Sequence, residues 1–350
     1  MPTISSERLR KITTTVFKAA GSTDEEAELV TDCLVSANLL GVDSHGVSLI
    51  PEYLEMLKKG LIKPNNKPKV IHETPTTAFL DGNDSWGYIV AKKAMEIAIK
   101  KAKKKGIAIV YIRSCNHIGR LGHWAMRAAK EDMIGIITCS SGPAVAPYGG
   151  VDRVLGPNPI CIAVPGKEYP FLLDISTSMR ASGWIRERYW AGEKLPPGWM
   201  INDKGEPVLD PSVKYEMPRE ESASIPFGGY KGYGLEVMVD LLTGCLVGDG
   251  CSLFIHQTKH REYNPTLIIV MNIATFTSID DFKDRADFLF KAIKNSRKAP
   301  GVEEILIPGE PEWRTQRIRS REGIPFTEGV WKHIVSPVKE ELGIDIEKIE

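Results

Sequence analysis

Over the first sixty residues, apolar positions recur with the period of amphipathic helices. Two helices are predicted, over residues 5–20 and 24–40, and a third over residues 44–59, with Pro51 expected to kink it. The proline-bounded stretch 64–68 separates these segments from the remainder of the chain. The beginning of the chain is therefore predicted to form a mainly helical unit.

From residue 70 onward, short apolar runs bounded by turn residues alternate with helical segments. Such runs, rich in β-branched residues, predict buried strands. We expect strands at residues 77–82, 106–112, 134–139, 161–165, 171–175 and 267–271, and helices at residues 91–104, 122–132 and 280–296. This body is α/β, and its unevenly spaced strands argue against a doubly wound parallel sheet. Residues 184–220, rich in charge, proline and tryptophan, predict a long loop or lid.

Composition is that of a globular protein, with 42% hydrophobic and 26% charged residues among 350 and a formal net charge of +0. This balance argues against binding to nucleic acid or a membrane surface by bulk electrostatics. Six cysteines without a Cys-x-x-Cys pair exclude a disulfide framework, and the histidine spacing predicts no metal site. Without a signal peptide or an apolar stretch of bilayer length, the protein is expected to be soluble and cytoplasmic.

A glycine-rich stretch at residues 225–235 precedes an apolar run whose spacing predicts a buried helix. Glycines permit close backbone approach to a ligand, a helix N-terminus attracts anions, and Lys231 adds a positive charge. The pattern predicts an anion site for a cofactor phosphate; the alternative is a tight turn before a core helix. It is neither a Walker loop nor a Rossmann fingerprint, because Gly232-x-Gly234 has Val237 in place of the third glycine.

Two histidines occupy positions typical of proton-transfer groups. His45 follows Ser44 in the first turn of a predicted helix, whose dipole disfavours imidazolium, and Asp43 and Ser44 are its expected orienting neighbours. His117 lies in the loop after a buried strand, where functional residues concentrate. The alternatives are an incidental residue behind a serine cap and a solvated loop histidine. His123, inside a helix, is expected to pack or form a hydrogen bond.

Small polar residues follow two other predicted strands. Ser140 and Ser141 end one of them, and their hydroxyls suit contacts with sugar hydroxyls or phosphate. Asp174 ends another, where its carboxylate either binds ribose hydroxyls or caps the next helix.

Taken together, six short motifs in order across nearly the whole chain resemble the type 2 malate/L-lactate dehydrogenase family. That family also holds sulfolactate, ureidoglycolate and diketogulonate reductases. The motifs are residues 41–46, 116–119, 156–159, 173–177, 228–235 and 307–310.

This resemblance implies a non-Rossmann nicotinamide-binding α/β domain, residues 76–300, beside a mainly helical domain, residues 1–75 with about 301–350. It further implies a homodimer that transfers a hydride between NAD or NADP and a 2-oxo or 2-hydroxy acid. The alternatives are an imino-acid reductase of the same fold and a nucleotide-sensing protein without turnover.

Site residues follow from the same resemblance. His45 and His117 match the proton-transfer histidines, and Ser44 adjoins the first of them. Matching positions for cofactor contacts are Ser141, Asp174, Ile175, Ser176, Lys231, Gly309 and Glu310, with Arg285 matched by a looser alignment.

The chain departs from the family's pattern at two positions. Leu49 replaces an arginine that clamps a substrate carboxylate, and Trp184 replaces a common lysine. Leucine forms no bidentate pair with a carboxylate. Either another cation takes over this role or the substrate lacks that carboxylate. The candidate cations are Arg180, Arg186 and Arg188.

Overall fold

A computed structural model describes residues 2–216, 221–257 and 263–350. At its centre is a sheet of seven strands. They are β2 (Lys69–Glu73), β3 (Thr77–Asp81), β4 (Ile107–Arg113), β5 (Met133–Cys139), β6 (Ile160–Val164), β7 (Phe171–Ile175) and β10 (Thr266–Asn272). Their spatial order is β2-β3-β4-β10-β5-β6-β7. Only β3 and β4 pair in parallel among the described strands, so the sheet is mixed and mainly antiparallel.

The predicted strands are all confirmed to within a residue or two at their ends. The sheet also contains β2, which has no predicted counterpart. Every residue of β2 is exposed, so it lacks the buried apolar pattern by which the other strands were recognised. Two further strand pairs lie outside this sheet. They are β1 (Thr3–Ile4) with β11 (Ile324–Pro325), and β8 (Met200–Asn202) with β9 (Ser222–Ser224).

Helices surround the sheet. Their bounds are α1 Ser6–Ala19, α2 Asp24–Leu39, α3 Ile50–Lys58, α4 Gly87–Lys105, α5 Leu121–Ala129, α6 Ser182–Ala191, α7 Ser212–Glu216, α8 Tyr230–Asp240, α9 Ser252–Gln257, α10 Ile279–Lys294, α11 Glu310–Glu322 and α12 Glu328–Leu342. Local sequence explains where the first two begin. The Ser5 hydroxyl caps α1, and Thr23 and Glu26 form a reciprocal capping box at α2.

The third predicted helix is wrong in its first part. Residues Asp43–His45 and Val47–Leu49 form two short 3-10 turns, and α3 begins only at Ile50. Pro51 therefore lies in the first turn of α3, where its missing N–H would have no partner in any case, and it causes no kink. His45 consequently sits on a tight turn rather than in a regular helix.

The interpretation of residues 184–220 as a long loop or lid is wrong for about half of the described part. Helix α6, strand β8 and helix α7 occupy it, and a small apolar cluster that includes Ile185, Trp199 and Met200 packs beneath them. Residues 217–220 lie outside the described part of the chain.

The glycine-rich segment differs from its prediction in two respects. Helix α8 already begins at Tyr230, so Lys231 and Gly232 belong to its first turn. The apolar face is not buried within the chain, because α8 instead packs through Gly232, Glu236, Val239 and Asp240. The exposed apolar residues are Leu235, Met238, Leu241, Leu242 and Leu246. An apolar stripe indicates that a face is buried without identifying what buries it.

One contiguous core joins the sheet to the helices of both chain ends. Aromatic rings form its centre, with Trp86 in edge contact with Phe17 at 5.3 Å and with Tyr53 at 5.4 Å between ring centroids. The N-terminal strand β1 pairs with β11, which lies between α11 and α12. The predicted domain boundaries remain predictions.

Candidate active site

A cavity of about 650 Å³ opens between the 3-10 turns after α2, the loop before α5, the ends of β5 and β7, and helix α6. Both predicted histidines line it, together with Ser44. Four of the residues matched to cofactor contacts also line it, namely Ser141, Asp174, Ile175 and Ser176. The fold thus brings residues from distant parts of the sequence around one space.

His45 and His117 lie face to face in this cavity. Their ring centroids are 5.7 Å apart and the rings are inclined by 29°. Nδ1 of His45 lies 3.1 Å from Oγ of Ser44, and Nδ1 of His117 lies 2.6 Å from Oη of Tyr53. Each imidazole is thus held through Nδ1, which leaves Nε2 for another partner.

Burial lowers the pKa of both histidines. The pKa of His45 falls to about 3, chiefly through burial, with His117, Arg186 and Arg120 adding repulsion. Burial is likewise the main cause that lowers the pKa of His117. Both rings are therefore neutral near pH 7, and each carries one proton and one lone pair. Two neutral imidazoles in one cavity suit proton transfer to or from a bound molecule.

The turn that carries His45 is held by side chains of α2 and α11. Asp43 forms a two-pronged ion pair with Arg319 of α11, with distances of 2.7 and 2.9 Å, and accepts a hydrogen bond from Nδ2 of Asn38 at 2.6 Å. A β-carbon at Gly46 would overlap the Asn38 amide, so glycine is required there. Of the two expected orienting neighbours, Asp43 fixes the turn and Ser44 contacts the ring.

The loop that carries His117 is anchored by buried polar groups. The Asn116 side chain donates to the carbonyls of Leu61 and Ser85, at 3.1 and 2.9 Å. His123 is confirmed as a packing residue, since it lies 3.3 Å from Oγ of Ser36 and in edge contact with Trp124.

A second part of the cavity wall offers polar atoms from the ends of the strands. Oγ of Ser141 is buried and has no hydrogen-bond partner among the described residues. Asp174 accepts a hydrogen bond of 2.7 Å from the Gly122 amide, and burial raises the pKa of its carboxyl. The Ser176 hydroxyl donates to the Pro157 carbonyl at 3.1 Å. This wall suits a polar ligand with hydroxyl or phosphate groups.

Four residues matched to cofactor contacts lie outside the lining of the cavity within the described chain. Lys231 is exposed on α8, and Arg285 is exposed on α10 with Nη1 3.4 Å from the Thr277 hydroxyl. Gly309 packs beside Leu172, which does line the cavity. Glu310 is paired with Lys294 at 2.6 Å and with Arg314. Their roles remain predictions.

Leu49 and Trp184 both line the cavity, so the two departures from the family's pattern concern the site itself. Of the proposed replacement cations, Arg180 and Arg186 line it, whereas the Arg188 side chain donates to the Lys194 carbonyl. Arg186 donates to Glu52 and to the Ser44 carbonyl, both at 3.1 Å.

Sequence reasoning missed two residues of this site. Tyr53 contacts His117, and the signal for it was its helical spacing from Leu49, which places both on one face. Arg120 lines the cavity directly after the motif at residues 116–119. Neither residue type is diagnostic by itself, because a lone tyrosine or arginine in a sequence is more often structural.

Membrane-spanning helices and metal clusters are both missing from the described residues. Within residues 2–216, 221–257 and 263–350, no helix has both the length and the apolar character needed to cross a bilayer. The same residues contain no cluster of three or more histidine, cysteine, aspartate or glutamate side chains suited to hold a metal ion.

The mixed α/β fold is shared with solved structures of malate dehydrogenases. The chain belongs to the malate/L-lactate dehydrogenase family, whose sequence model matches residues 4–335. The predicted resemblance is therefore confirmed, as is the predicted class of enzyme, an oxidoreductase of hydroxy and oxo acids of malate or lactate type.

Individual relatives cover nearly the full length. A malate dehydrogenase from Pyrococcus abyssi is 39% identical over 345 residues, with 96% of this chain and 93% of the relative covered. An L-sulfolactate dehydrogenase from Methanocaldococcus jannaschii is 37% identical, with 98% of each chain covered. The crystal structure of malate dehydrogenase from Entamoeba histolytica superposes with a TM-score of 0.93 at 28% identity, covering 98% of each chain.

Proposed function

We propose that the protein interconverts a 2-oxo acid and the corresponding 2-hydroxy acid with NAD or NADP. The observation that carries this proposal is the pair of neutral histidines in one cavity, His45 and His117. Reduction of a carbonyl requires a proton at its oxygen, and a positioned imidazole supplies one. The nicotinamide cofactor supplies the hydride when bound.

In this proposal, the imidazolium form of His45 or His117 gives its Nε2 proton to the carbonyl oxygen during reduction and becomes a neutral imidazole. Ser44 and Tyr53 hold the opposite nitrogens and so fix the orientation of the two rings. In the reverse direction the same nitrogen accepts the proton of the hydroxy acid. Because burial keeps the resting imidazoles uncharged, the form that accepts the proton of the hydroxy acid is the populated one near neutral pH.

Residues along the strand ends fit a dinucleotide. The buried Ser141 hydroxyl has no hydrogen-bond partner among the described residues, and Ser176 and Asp174 lie in the same wall. We assign these three residues and Ile175 to the cofactor. A non-Rossmann mode of binding is supported by the mainly antiparallel sheet and by the absence from the sequence of a Gly-x-Gly-x-x-Gly motif after a strand.

A homodimer is supported by the apolar face of α8 and the turn after it. Leu241 and Leu246 of this face are 50% and 61% exposed in the single chain. Contiguous apolar surface of this kind marks an interface. Lys231 lies on the same helix. A partner chain bound to the apolar face of α8 would therefore also shield the region around Lys231 from solvent. Sedimentation analysis of the purified protein, compared with its Leu246→Asp variant, tests this assembly.

The substrate class is tested by an absorbance assay. The purified protein is mixed with NADH or NADPH and with oxaloacetate, 3-sulfopyruvate, pyruvate or a cyclic imino acid. Turnover of a 2-oxo acid is expected, since relatives are named malate and L-sulfolactate dehydrogenases. Turnover restricted to the imino acid would favour the reductase alternative. Binding of NADH or NADPH without any turnover would favour the nucleotide-sensing alternative.

A further inference from the structure

Arg120 is a buried residue whose guanidinium group makes no hydrogen bond within the described part of the chain. The residue is 8% exposed and lines the cavity at the start of α5. Among the described residues its side chain makes no hydrogen bond, and its shielded Nε has no partner. The Asp174 carboxylate comes within 3.8 Å of Nη1, which is too long for a hydrogen bond.

The shielded Nε is costly to leave unpaired unless a ligand accepts its hydrogen bond, and the Nη groups are available to the same ligand. A guanidinium carries five N–H groups, and buried donors left unpaired destabilise a protein. Asp174 balances the charge, yet its Oδ2 already accepts the Gly122 amide at 2.7 Å. A ligand with two anionic oxygens would satisfy the fork-shaped donor set of Arg120.

The other lining arginines that stood as replacement cations are already occupied or solvated. Arg186 donates to Glu52 and to the Ser44 carbonyl. Arg180 is exposed and lies over the Trp184 and Trp199 rings, at 5.6 and 5.2 Å from their centroids. Of these three, Arg120 is buried and its side chain makes no hydrogen bond among the described residues, whereas Arg186 makes two hydrogen bonds beside its own unpaired Nε.

The position of Arg120 associates it with the histidines that are proposed to transfer the proton. It follows His117 by three residues, shares the cavity with both histidines, and contributes to the lowered pKa of His45. The carboxylate of a 2-oxo acid is bonded to the carbon of the reacting carbonyl. A cation for that carboxylate therefore has to lie beside the group that protonates the carbonyl oxygen.

We propose that Arg120 is a specificity-determining residue that binds the carboxylate bonded to the reacting carbonyl carbon of the substrate. This inference rests on the proposed function. Arg120, at the start of α5, then performs the carboxylate-binding role that Leu49 cannot perform. This makes the enzyme selective for acids over their uncharged derivatives.

The test compares wild type with Arg120→Met, Arg120→Lys and the control Arg127→Met. Arg127 belongs to the same helix but does not line the cavity in the described structure. The substrates are the most active acid of the assay panel and its 1-methyl ester. For Arg120→Met, KM for the acid should rise about 10- to 100-fold, whereas KM for NADH or NADPH stays within about twofold. The ratio of kcat/KM for acid over ester should fall by the same factor.

Arg120→Lys keeps a charge beside Asp174 but loses the bidentate geometry, so an intermediate rise in KM is expected with an unchanged circular dichroism spectrum. Arg127→Met should match wild type. An increased KM for the nucleotide with an unchanged acid-to-ester ratio would assign Arg120 to a cofactor phosphate and overturn the proposal. An equal loss for acid and ester would make Arg120 a structural partner of Asp174 and would overturn the proposal as well. Wild type without turnover of any 2-oxo acid would instead refute the proposed function.

Discussion

The phenolic oxygen of Tyr53 lies 2.6 Å from Nδ1 of His117. The same oxygen lies 2.8 Å from the hydroxyl of Tyr88, and both tyrosines are buried. The two phenols and the imidazole thus form a hydrogen-bonded chain from the aromatic core to the cavity. The orientation of His117 is set by core packing as well as by its own loop.

Tyr53→Phe should lower kcat about fivefold and leave KM for NADH or NADPH nearly unchanged. Phenylalanine fills the same volume, so the substitution removes one hydrogen bond to His117, and such a bond contributes about 1 kcal/mol. Steady-state kinetics measure the effect. Tyr88→Phe serves as the control and should have a smaller effect, because Tyr88 contacts Tyr53 rather than the imidazole. Equal losses in both variants would contradict the specific role of Tyr53.

His45→Ala and His117→Ala should both fold, and at least one should lose turnover by about 10²- to 10⁴-fold, the range typical of a general acid. Circular dichroism checks that both variants fold, and single-turnover kinetics measure the loss of turnover. His72→Ala, a change at an exposed position of β2, should retain wild-type activity. Full activity in both site variants would disprove the assignment of proton transfer to this pair.

Lys231→Ala should weaken NADH or NADPH binding about 10- to 100-fold, because a charge-assisted hydrogen bond to phosphate contributes about 1.5–3 kcal/mol. Fluorescence titration gives the dissociation constant directly. Lys11→Ala, at an exposed position of α1, is the matched control. An unaltered dissociation constant in Lys231→Ala would place the phosphate site elsewhere.

Glu236→Gln should change the pH dependence of stability. Glu236 is fully buried, neither carboxylate oxygen has a hydrogen-bond partner among the described residues, and burial, followed by repulsion from Asp240, raises its pKa to about 8. Between about pH 5 and 8, the unfolded chain releases this proton while the folded chain keeps it. The wild-type free energy of unfolding therefore falls with rising pH, by at most about 1.4 kcal/mol per unit from this group.

Glutamine has no proton to release, so the stability of Glu236→Gln relative to wild type should increase steadily from pH 5 to pH 8. Urea denaturation across this range measures the difference. Exposed Glu96→Gln should show no such trend. A constant difference between Glu236→Gln and wild type would mean that Glu236 titrates normally.

Local periodicity was sufficient to predict the buried strands, because each carries its own apolar signal. Sequence motifs singled out His45 and His117, which lie in one cavity of the structure. Contacts between distant positions were not predictable in this way. The partner of Asp43 is Arg319, 276 residues away, and nothing near either residue indicates the other. The exposed apolar face of α8 shows a second limit of sequence patterns. The pattern indicates that a face is covered but does not identify the surface that covers it.

The ion pair between Asp43 and Arg319 links the timing of activity to the completion of synthesis. The turn that carries His45 is translated early, but the guanidinium that fixes it belongs to α11, near the end of the chain. A nascent polypeptide whose sheet has already formed would still lack a fixed proton-transfer group. Chains that end just before residue 310 should therefore contain the sheet strands and both histidines but remain inactive.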